Sequence, residues 1–339
     1  MDVNVFHRDA WVVDAHTHGL GMLPAVPRAA YRVVNRTTMP PDEDLGAFRR
    51  ASVNAAIVKA VGDAPVTRWY RGSAFNAVRR QLASLRGQLA ANGGAVATTQ
   101  ADVDAARAAG TVAGILGVEG ADAVGDDLER FDELAAGGVK VVGLIHLGHN
   151  QFGTTSMPWL QYVAAFPRRR PTSTGLTPLG RAAVARLDAL GVVIDVAHAD
   201  RSTTLDVVDL STRPVISSHA GAAAAGDGAF ARFLDDDELR AVASTGGVVG
   251  LWPYSHRGRG VATVAGLVDH ARYIADLVGP EHLCIGTDMN GVPGLMDGYR
   301  GETDLPVITA ALLGRGFDAD ETRGILGENI GRVLRTALA

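Results

Sequence analysis

The chain has 339 residues, of which 47% are hydrophobic and 20% charged, and its formal net charge is −5. This composition supports a large apolar core within the length of one α/β barrel, and the acidic balance argues against nucleic acid and anionic membranes as partners. The single cysteine, Cys284, excludes an intrachain disulfide, and no apolar run is long enough to predict a membrane span. Because no basic and then apolar leader is visible at the N-terminus, we expect a cytoplasmic protein.

Short runs rich in valine, isoleucine and glycine alternate with longer segments of helical spacing. Parallel strands buried on both faces read as near-continuous apolar runs, so we predict eight strands. They are Ala10–His16, Asn54–Val61, Thr111–Glu119, Gly138–His146, Val192–Ala197, Pro214–Ser218, Gly247–Trp252 and His282–Asp288. The predicted helices are Pro41–Ala51, Ser73–Ala91, Asp126–Ala136, Pro178–Leu190, Thr203–Leu210, Asp235–Ser244, Val261–Val278, Thr303–Leu313 and Asp320–Leu334.

Eight such alternations favour a (β/α)8 TIM barrel, an α/β fold, formed as one catalytic domain over residues 1–339. No Gly-x-Gly-x-x-Gly follows the first strand, which argues against a dinucleotide-binding sheet. Glycines before several strands (Gly110, Gly138, Gly191 and Gly246) indicate helix C-caps, and Asp235 and Asp320 indicate N-caps. The longest irregular stretches, 20–40 and 149–177, are expected to be loops that set specificity, and Arg168–Arg170 is expected to be solvated.

Acidic and imidazole side chains gather where the predicted strands end. The carboxyl ends of barrel strands carry the chemistry of this fold, and five of the eight predicted strands end with potential metal ligands. These ligands are His16, His18, Glu119, His198, His219 and Asp288. One histidine at a strand end is more often a hydrogen-bonded core residue, but six such groups on one face are costly to bury without a cation. The set suits Zn²⁺ or another divalent first-row metal.

The spacing and type of these residues suggest roles for some of them. His16 and His18 are two apart in a strand, so their side chains point the same way. Two ions about 3.5–4 Å apart can hold a bridging hydroxide and polarise a carbonyl. Glu119, from a middle strand, is the candidate bridge between the ions. Asp288 is the candidate to bind one ion and to carry the proton from the attacking water to a leaving amine.

Five motifs occur in order along the chain. They are His16-Thr17-His18, the Gly-Val-Glu-Gly of Gly117–Gly120, Asp195–His198, Ser217–Ala220 and Gly286–Val292. From about Ala10 to the C-terminus, this order resembles the membrane (renal) dipeptidase family of the amidohydrolase superfamily. The resemblance implies a binuclear zinc barrel that hydrolyses dipeptides and tolerates D-configured residues at the C-terminal position.

The resemblance also implies individual roles. His16 matches the first ligand, Glu119 the bridging carboxylate, His198 and His219 the imidazoles of the second zinc, and Asp288 the carboxylate beside the reactive water. His149 matches the histidine that polarises the substrate. Arg232 matches the arginine that binds the substrate carboxylate, which suits the fork of a guanidinium.

His18 is the one clear departure, because the family usually has His-x-Asp after the first strand. Zinc accepts either ligand, so we expect binding to survive. A neutral ligand in place of an anionic one raises the charge of the site and can change the pKa of bound water or the metal preference. It also loosens the link to dipeptides, since His-x-His occurs across the wider superfamily.

Several alternatives therefore stay open. The nearest is an amidohydrolase acting on another small amide or a lactone, such as an N-acyl amino acid. A metal-dependent decarboxylase on the same barrel and a binding protein without catalysis are further alternatives. Ser217 and Ser218 lack a nucleophile-elbow motif, which argues against a serine hydrolase. His146 is interpreted as structural, and the expected partners are a small dipeptide substrate and a second copy in a homodimer.

Overall fold

Eight parallel strands close into a ring in the computed structural model, which describes residues 2–35, 39–162, 173–226, 228 and 230–339. The strands are Val12–Thr17 (β1), Val53–Val61 (β2), Ala113–Glu119 (β3), Val139–Gly143 (β4), Val193–Asp195 (β5), Ile216–Ala220 (β6), Val248–Leu251 (β7) and Leu283–Ile285 (β8). Each strand pairs with the next, and β8 pairs with β1. The predicted (β/α)8 barrel is confirmed.

Helices cover the outside of this barrel. The α-helices are Val3–Asp9, Ala25–Asn35, Gly46–Arg50, Ala64–Thr67, Ala74–Ala91, Gln100–Ala108, Glu129–Ala136, Pro178–Ala189, Arg201–Leu210, Asp236–Ser244, Val264–Val278, Leu305–Gly314, Ala319–Arg323 and Asn329–Leu334, the last two joined by a π-helical segment, Gly324–Glu328. Short strands lie at Ala95–Val96, which pairs with β3, and in a hairpin of Ser255–His256 with Arg259–Gly260. Within the described ranges, no helix is both long and apolar enough to cross a bilayer.

Most of the predicted capping residues lie at the ends of helices in the structure. The four glycines predicted as C-caps all have positive φ, between 64° and 83°, which glycine adopts without strain. Asp235 is an N-cap, as predicted, and forms a capping box with Glu238. The prediction for Asp320 is wrong because that helix begins at Ala319, where Asp318 accepts the orphan amide hydrogen bonds.

The stretch 20–40 differs from the expected irregular loop, since it contains the helix Ala25–Asn35. Pro27 is compatible with this helix because it lies in the first turn, where the missing N–H has no helical acceptor. The segment Arg168–Arg170 lies outside the described residues.

The barrel interior is built in layers. One apolar layer takes side chains from every strand: Val13, Ile57, Ile115, Val141, Val193, Ile216, Val248 and Cys284. Two residues further along β2, β5 and β6, the same alternation brings Lys59, Asp195 and Ser218 into the interior above that layer. The strand ends with their acidic and imidazole side chains lie above this polar layer.

Bulges in two strands change which side chains face inward. The pairing of β1 with β2 shifts between Asp14 and Thr17, and that of β6 with β7 shifts between Ser217 and Ala220. A bulge inserts an extra residue and re-aims the side chains that follow it. Consequently the neighbours Ser218 and His219 both reach the interior, where both contact His16.

Candidate metal centre

Glu119, the last residue of β3, lies at the centre of a buried group of histidines. Its Oε1 lies 3.3 Å from His16 Nε2, 3.2 Å from His198 Nε2 and 3.8 Å from His219 Nε2. Its Oε2 lies 3.2 Å from His18 Nε2. Because its two oxygens face different imidazoles, Glu119 is placed to bridge two positions.

Asp288 approaches the same group from the end of β8. Its Oδ1 lies 3.4 Å from His18 Nε2 and 3.8 Å from His16 Nε2, and its Oδ2 lies 4.0 Å from His219 Nε2. Its backbone has φ of 55°, a left-handed conformation that costs an ordinary residue about 1 kcal/mol or more. A hydrogen bond of 2.8 Å from Asp288 N to the His16 carbonyl supports this conformation.

Gly291 leaves the space that the Asp288 carboxylate occupies. A Cβ at this position would overlap Asp288 Oδ1 and would lie 2.9 Å from the His18 ring. The turn after β8 therefore needs glycine here to keep both side chains in place.

The donor set fits divalent cations. Three groups of potential ligand atoms cluster here, namely His16, Glu119 and His219; His16, His18 and Asp288; and Glu119, His146 and His198. Nε2 atoms approach each other at 3.3 Å between His16 and His18 and at 3.1 Å between His198 and His219. Imidazole lone pairs at such distances repel unless a cation or a proton lies between them. Buried imidazoles and carboxylates in this arrangement are consistent with a binuclear metal site.

The pKa values of the predicted ligands are shifted by burial and by their close contacts with one another. Burial lowers the pKa of His18, but Asp288 and Glu119 outweigh it and raise that pKa to about 10. Burial lowers the pKa of His16, and burial together with the Arg232 charge lowers that of His198 well below its usual value. Burial alone would raise the pKa of Glu119, yet the neighbouring histidines bring it well below the usual range. A positive charge is therefore favoured between His18 and the two carboxylates.

Arg232 lies beside the second pair of histidines. It is 1% exposed, and its guanidinium carbon lies 5.0 Å from the ring of Trp252, which in turn packs edge-on against His219. Among the described residues, no group meets hydrogen-bond geometry with its Nε or Nη2. These two atoms form the side of the guanidinium fork that can pair with a carboxylate, and Tyr162 is the described residue that interacts most directly with this guanidinium.

Aromatic side chains form a wall next to this arginine. Trp252 stacks on Tyr254 with ring centres 4.3 Å apart, and Phe230 stacks on Tyr254 at 5.7 Å. Tyr162 lies within reach of Arg232: burial raises the pKa of Tyr162, and the charge and a side-chain hydrogen bond of Arg232 oppose that rise. The Arg232 guanidinium therefore lies against buried aromatic side chains.

The fold and the ligand geometry agree with a comparison to known families. The family model described as "Membrane dipeptidase (Peptidase family M19)" matches residues 6–339. The chain belongs to this family.

Relatives of this membrane dipeptidase family member include curated fungal proteins. Dipeptidase tcpJ from Claviceps purpurea is 30% identical over 233 residues, which cover 67% of this chain and 51% of that protein. Dipeptidase aclJ from Aspergillus oryzae is 29% identical over 232 residues, covering 66% of this chain and 51% of that protein. The matched part of the chain thus spans about half the length of these relatives.

Solved structures share the fold over nearly the whole chain. The probable dipeptidase PvdM from Pseudomonas aeruginosa has a TM-score of 0.82 at 21% identity, covering 99% of this chain and 97% of that one. A metallo peptidase from Rhodobacter sphaeroides, liganded with a phosphinate mimic of the dipeptide L-Ala-D-Ala, has a TM-score of 0.80 at 22% identity, covering 97% and 100%.

The structure brings the side chains of five predicted strand ends together. The positions of two other histidines, His146 and His149, differ from those expected from the sequence. His146 Nε2 lies 3.4 Å from Glu119 Oε2, and its Nδ1 lies 2.9 Å from Asp63 Oδ2, so His146 faces the centre rather than the core. His149 is exposed, and its Nδ1 accepts a hydrogen bond of 3.1 Å from Thr155 N. No described contact joins His149 to the predicted ligands.

Proposed function

We propose that this chain hydrolyses the peptide bond of small dipeptides, including those with a D-configured C-terminal residue, as one catalytic domain that uses two divalent ions. The observation that carries the proposal is the buried Glu119 with its surrounding imidazoles, next to the buried guanidinium of Arg232. A peptide bond and a free carboxylate lie close together in a dipeptide, and this site offers a group for each. Family membership supports the same activity, and the ligand of the Rhodobacter protein supports the stereochemistry.

The six strand-end side chains would hold the ions. We assign His16, His18 and Asp288 to one position, and we assign His198 and His219, whose Nε2 atoms lie 3.1 Å apart, to the other. Glu119 lies within reach of both positions. The mixture of imidazole and carboxylate ligands favours Zn²⁺. When bound, the two ions supply a water of lowered pKa and polarise the carbonyl under attack.

Asp288 would carry the proton in this reaction. Asp288 is 8% exposed, and its carboxylate points between the two groups of histidines. It can therefore take a proton from the attacking water. The same oxygen can then give that proton to the nitrogen of the leaving amino acid. Loss of the carboxylate in Asp288→Asn should therefore abolish turnover.

Arg232 would bind the C-terminal carboxylate of the dipeptide. Its Nε and Nη2, with which no described residue meets hydrogen-bond geometry, match the two oxygens of a carboxylate in a bidentate pair. The aromatic wall of Trp252, Tyr254 and Phe230 would pack against the C-terminal side chain and exclude water from the pair.

His146 is better placed than His149 to polarise the substrate carbonyl. Burial lowers the pKa of His146, but the Glu119 and Asp63 carboxylates outweigh it and raise the pKa, which favours an N–H at Nε2. That N–H can donate to the oxygen that becomes negative during attack. We expect His146→Ala to lower kcat/KM by about 100-fold, the usual size for one such donor. His149→Ala, the matched control, should change it by less than about threefold, and the opposite order would return the role to His149.

The proposal is tested by a substrate screen with zinc-reconstituted protein. L,L- and L,D-dipeptides should release free amino acids, whereas Asp288→Asn and chelator-treated protein should not. Cleavage of N-acyl amino acids in preference to every dipeptide would instead support the alternative function, an amidohydrolase that acts on another small amide or a lactone. Carbon dioxide release without amine would support a decarboxylase. A protein that binds zinc and turns over none of these substrates contradicts the proposal.

The setting of the enzyme is also part of the proposal. We propose the cytoplasm as its compartment and a homodimer as its assembly. Cell fractionation and light scattering after size-exclusion chromatography measure these two properties directly.

A further inference from the structure

A single buried hydroxyl joins the two halves of the metal centre from below. Ser218, on the bulged strand β6, is fully buried. Its Oγ lies 2.9 Å from His16 Nδ1 and 3.1 Å from His219 Nδ1, and it donates a hydrogen bond of 2.5 Å to Asp195 Oδ2. His16 pairs with His18 at 3.3 Å between Nε2 atoms and His219 pairs with His198 at 3.1 Å, so we assign the two histidines to different metal positions, although both also lie beside Glu119.

The hydrogen-bond capacity of a hydroxyl fixes the direction of each bond. A serine hydroxyl donates one hydrogen bond and accepts two. Since Ser218 donates to the Asp195 carboxylate, its lone pairs accept from His16 Nδ1 and His219 Nδ1. Both imidazoles then carry their proton on Nδ1 and present Nε2 as a lone pair toward Glu119, which is the tautomer that a metal ligand needs.

Asp195 is held as an acceptor on both of its oxygens. Its Oδ1 accepts from Ala197 N at 3.0 Å and from Ser218 N at 2.9 Å. Its Oδ2 accepts from the Ser218 hydroxyl and forms an ion pair with Lys59 Nζ. An ionised acceptor gives stronger and shorter hydrogen bonds than a neutral one, which orients the Ser218 hydroxyl firmly.

Lys59 reaches this position because the barrel makes room for its stem. Its side chain is buried, and a Cβ on the neighbouring Gly117 would lie 2.9 Å from its Cγ. Its carbonyl also accepts a hydrogen bond of 3.0 Å from His18 Nδ1. Burying a charged lysine inside a barrel costs free energy unless the charge is paired. The buried Lys59–Asp195 ion pair therefore calls for a structural or functional reason.

We propose that Ser218 is a positioning residue that fixes one imidazole of each metal position through a single hydroxyl, and that the buried Lys59–Asp195 pair fixes Ser218. The inference rests on the metal centre of the proposed function but not on its substrate. It follows that removing one hydroxyl weakens both metal positions together, although Ser218 is not itself a metal ligand.

Ser217 offers a matched control on the same strand. It is equally buried, and its Oγ has no hydrogen-bond partner among the described residues. Ser217→Ala and Ser218→Ala therefore remove the same atoms from adjacent positions, and only the second removes a contact to ligands.

The first test is zinc affinity, measured by competition with a chromophoric chelator. We expect Ser218→Ala to lower the affinity of both positions by about 10- to 100-fold, the range seen for partners of metal ligands. Ser217→Ala should stay within about threefold of the parent protein. Lys59→Met, which removes the charge and keeps the length of the side chain, should weaken both positions in the same direction.

The second test needs no variant and covers the case in which Ser218→Ala fails to fold. In ¹⁵N-histidine-labelled parent protein, NMR should show His16 and His219 protonated at Nδ1. A proton on Nε2 of either ring in the zinc-free protein overturns the inference.

The outcomes separate this inference from the proposed function. Unchanged affinity in Ser218→Ala, or loss at one position only, overturns the inference alone. Loss at both positions in a protein that cleaves no dipeptide supports the inference and refutes the function. A parent protein that binds no divalent ion overturns both.

Discussion

Replacing Arg232 gives the sharpest test of how the site binds the C-terminal carboxylate of a substrate. Replacing it with methionine keeps much of the side-chain length and the packing on Trp252, but it removes the charge and the fork. If the fork binds the substrate carboxylate, the variant should lose its advantage for substrates with a free C-terminus and lose little for substrates without one.

The expected size follows from burial. Arg232 is 1% exposed, so solvent does not screen the pair, and two donors, Nε and Nη2, are available to it. Hydrogen bonds to charged groups contribute about 1.5–3 kcal/mol each, and breaking a buried charge pair costs about 2–5 kcal/mol. A coupling of about 2–4 kcal/mol corresponds to roughly 30- to 1,000-fold in kcat/KM.

The assay is a cycle of two enzymes and two substrates. A dipeptide and its C-terminal amide are compared by kcat/KM in the parent protein and in Arg232→Met. The parent should prefer the free carboxylate by roughly 30-fold or more, and the variant should treat the two within about threefold. Zinc content and melting temperature are measured on both proteins as controls. Equal losses on the two substrates would show that Arg232 supports the fold and does not read the carboxylate.

Three further predictions address the turn after β8, the charge of the site and a buried cap. Gly291→Ala should displace Asp288 and lower kcat/KM at least about tenfold, while Gly148→Ala, where a Cβ meets no atom within 4 Å, should be neutral in the same assay; equal effects would refute the steric argument. His18→Asp adds a negative charge, so the acidic limb of the pH profile of kcat/KM should move up by on the order of one pH unit, and a limb that stays or moves down contradicts this. Burial raises the pKa of Glu238 to about 7, so the folded state binds the extra proton and wild-type stability falls as pH rises from about 5 to 8. Glu238→Gln should remove about 3 kcal/mol of that fall in urea unfolding, and Glu321→Gln, in the solvent-exposed capping box of Asp318, should leave it unchanged.

The barrel and the residues at its strand ends could be predicted from the sequence for a physical reason. Buried parallel strands have near-continuous apolar runs, and their carboxyl ends meet on one face whatever the loops do. Side chains as distant in sequence as His16 and Asp288 could therefore be predicted as neighbours, and the structure brings them within 4 Å.

The error over His146 came from extending a strand too far. Alternation from Gly138 placed His146 off the interior face, but β4 ends at Gly143. Beyond that point the backbone no longer alternates, so the parity of a residue says nothing about its direction. The contact with Glu119 depends on the turn that follows β4, and no local pattern in the sequence reports it.

The polar layer beneath the ligands was hidden for a related reason. Ser218 and His219 are adjacent, and strict alternation would put them on opposite faces, but the bulge in β6 brings both inward. Lys59 stands alone in an apolar run, and its partner Asp195 is 136 residues away. Only the closed barrel pairs them.

The charge of the centre explains why His18 is compatible with this fold. Glu119 and Asp288 bring two negative charges into a buried space, and without a metal the proton on His18, whose pKa is about 10, lies against both of them. A divalent ion has to displace that proton, because a ligand nitrogen must be neutral. An aspartate in its place would leave the metal-free centre with three carboxylates and one cation fewer, which raises the need for metal during folding. We therefore expect metal uptake to release the His18 proton, so the affinity for divalent ions should rise with pH, and an affinity that does not change with pH would contradict this.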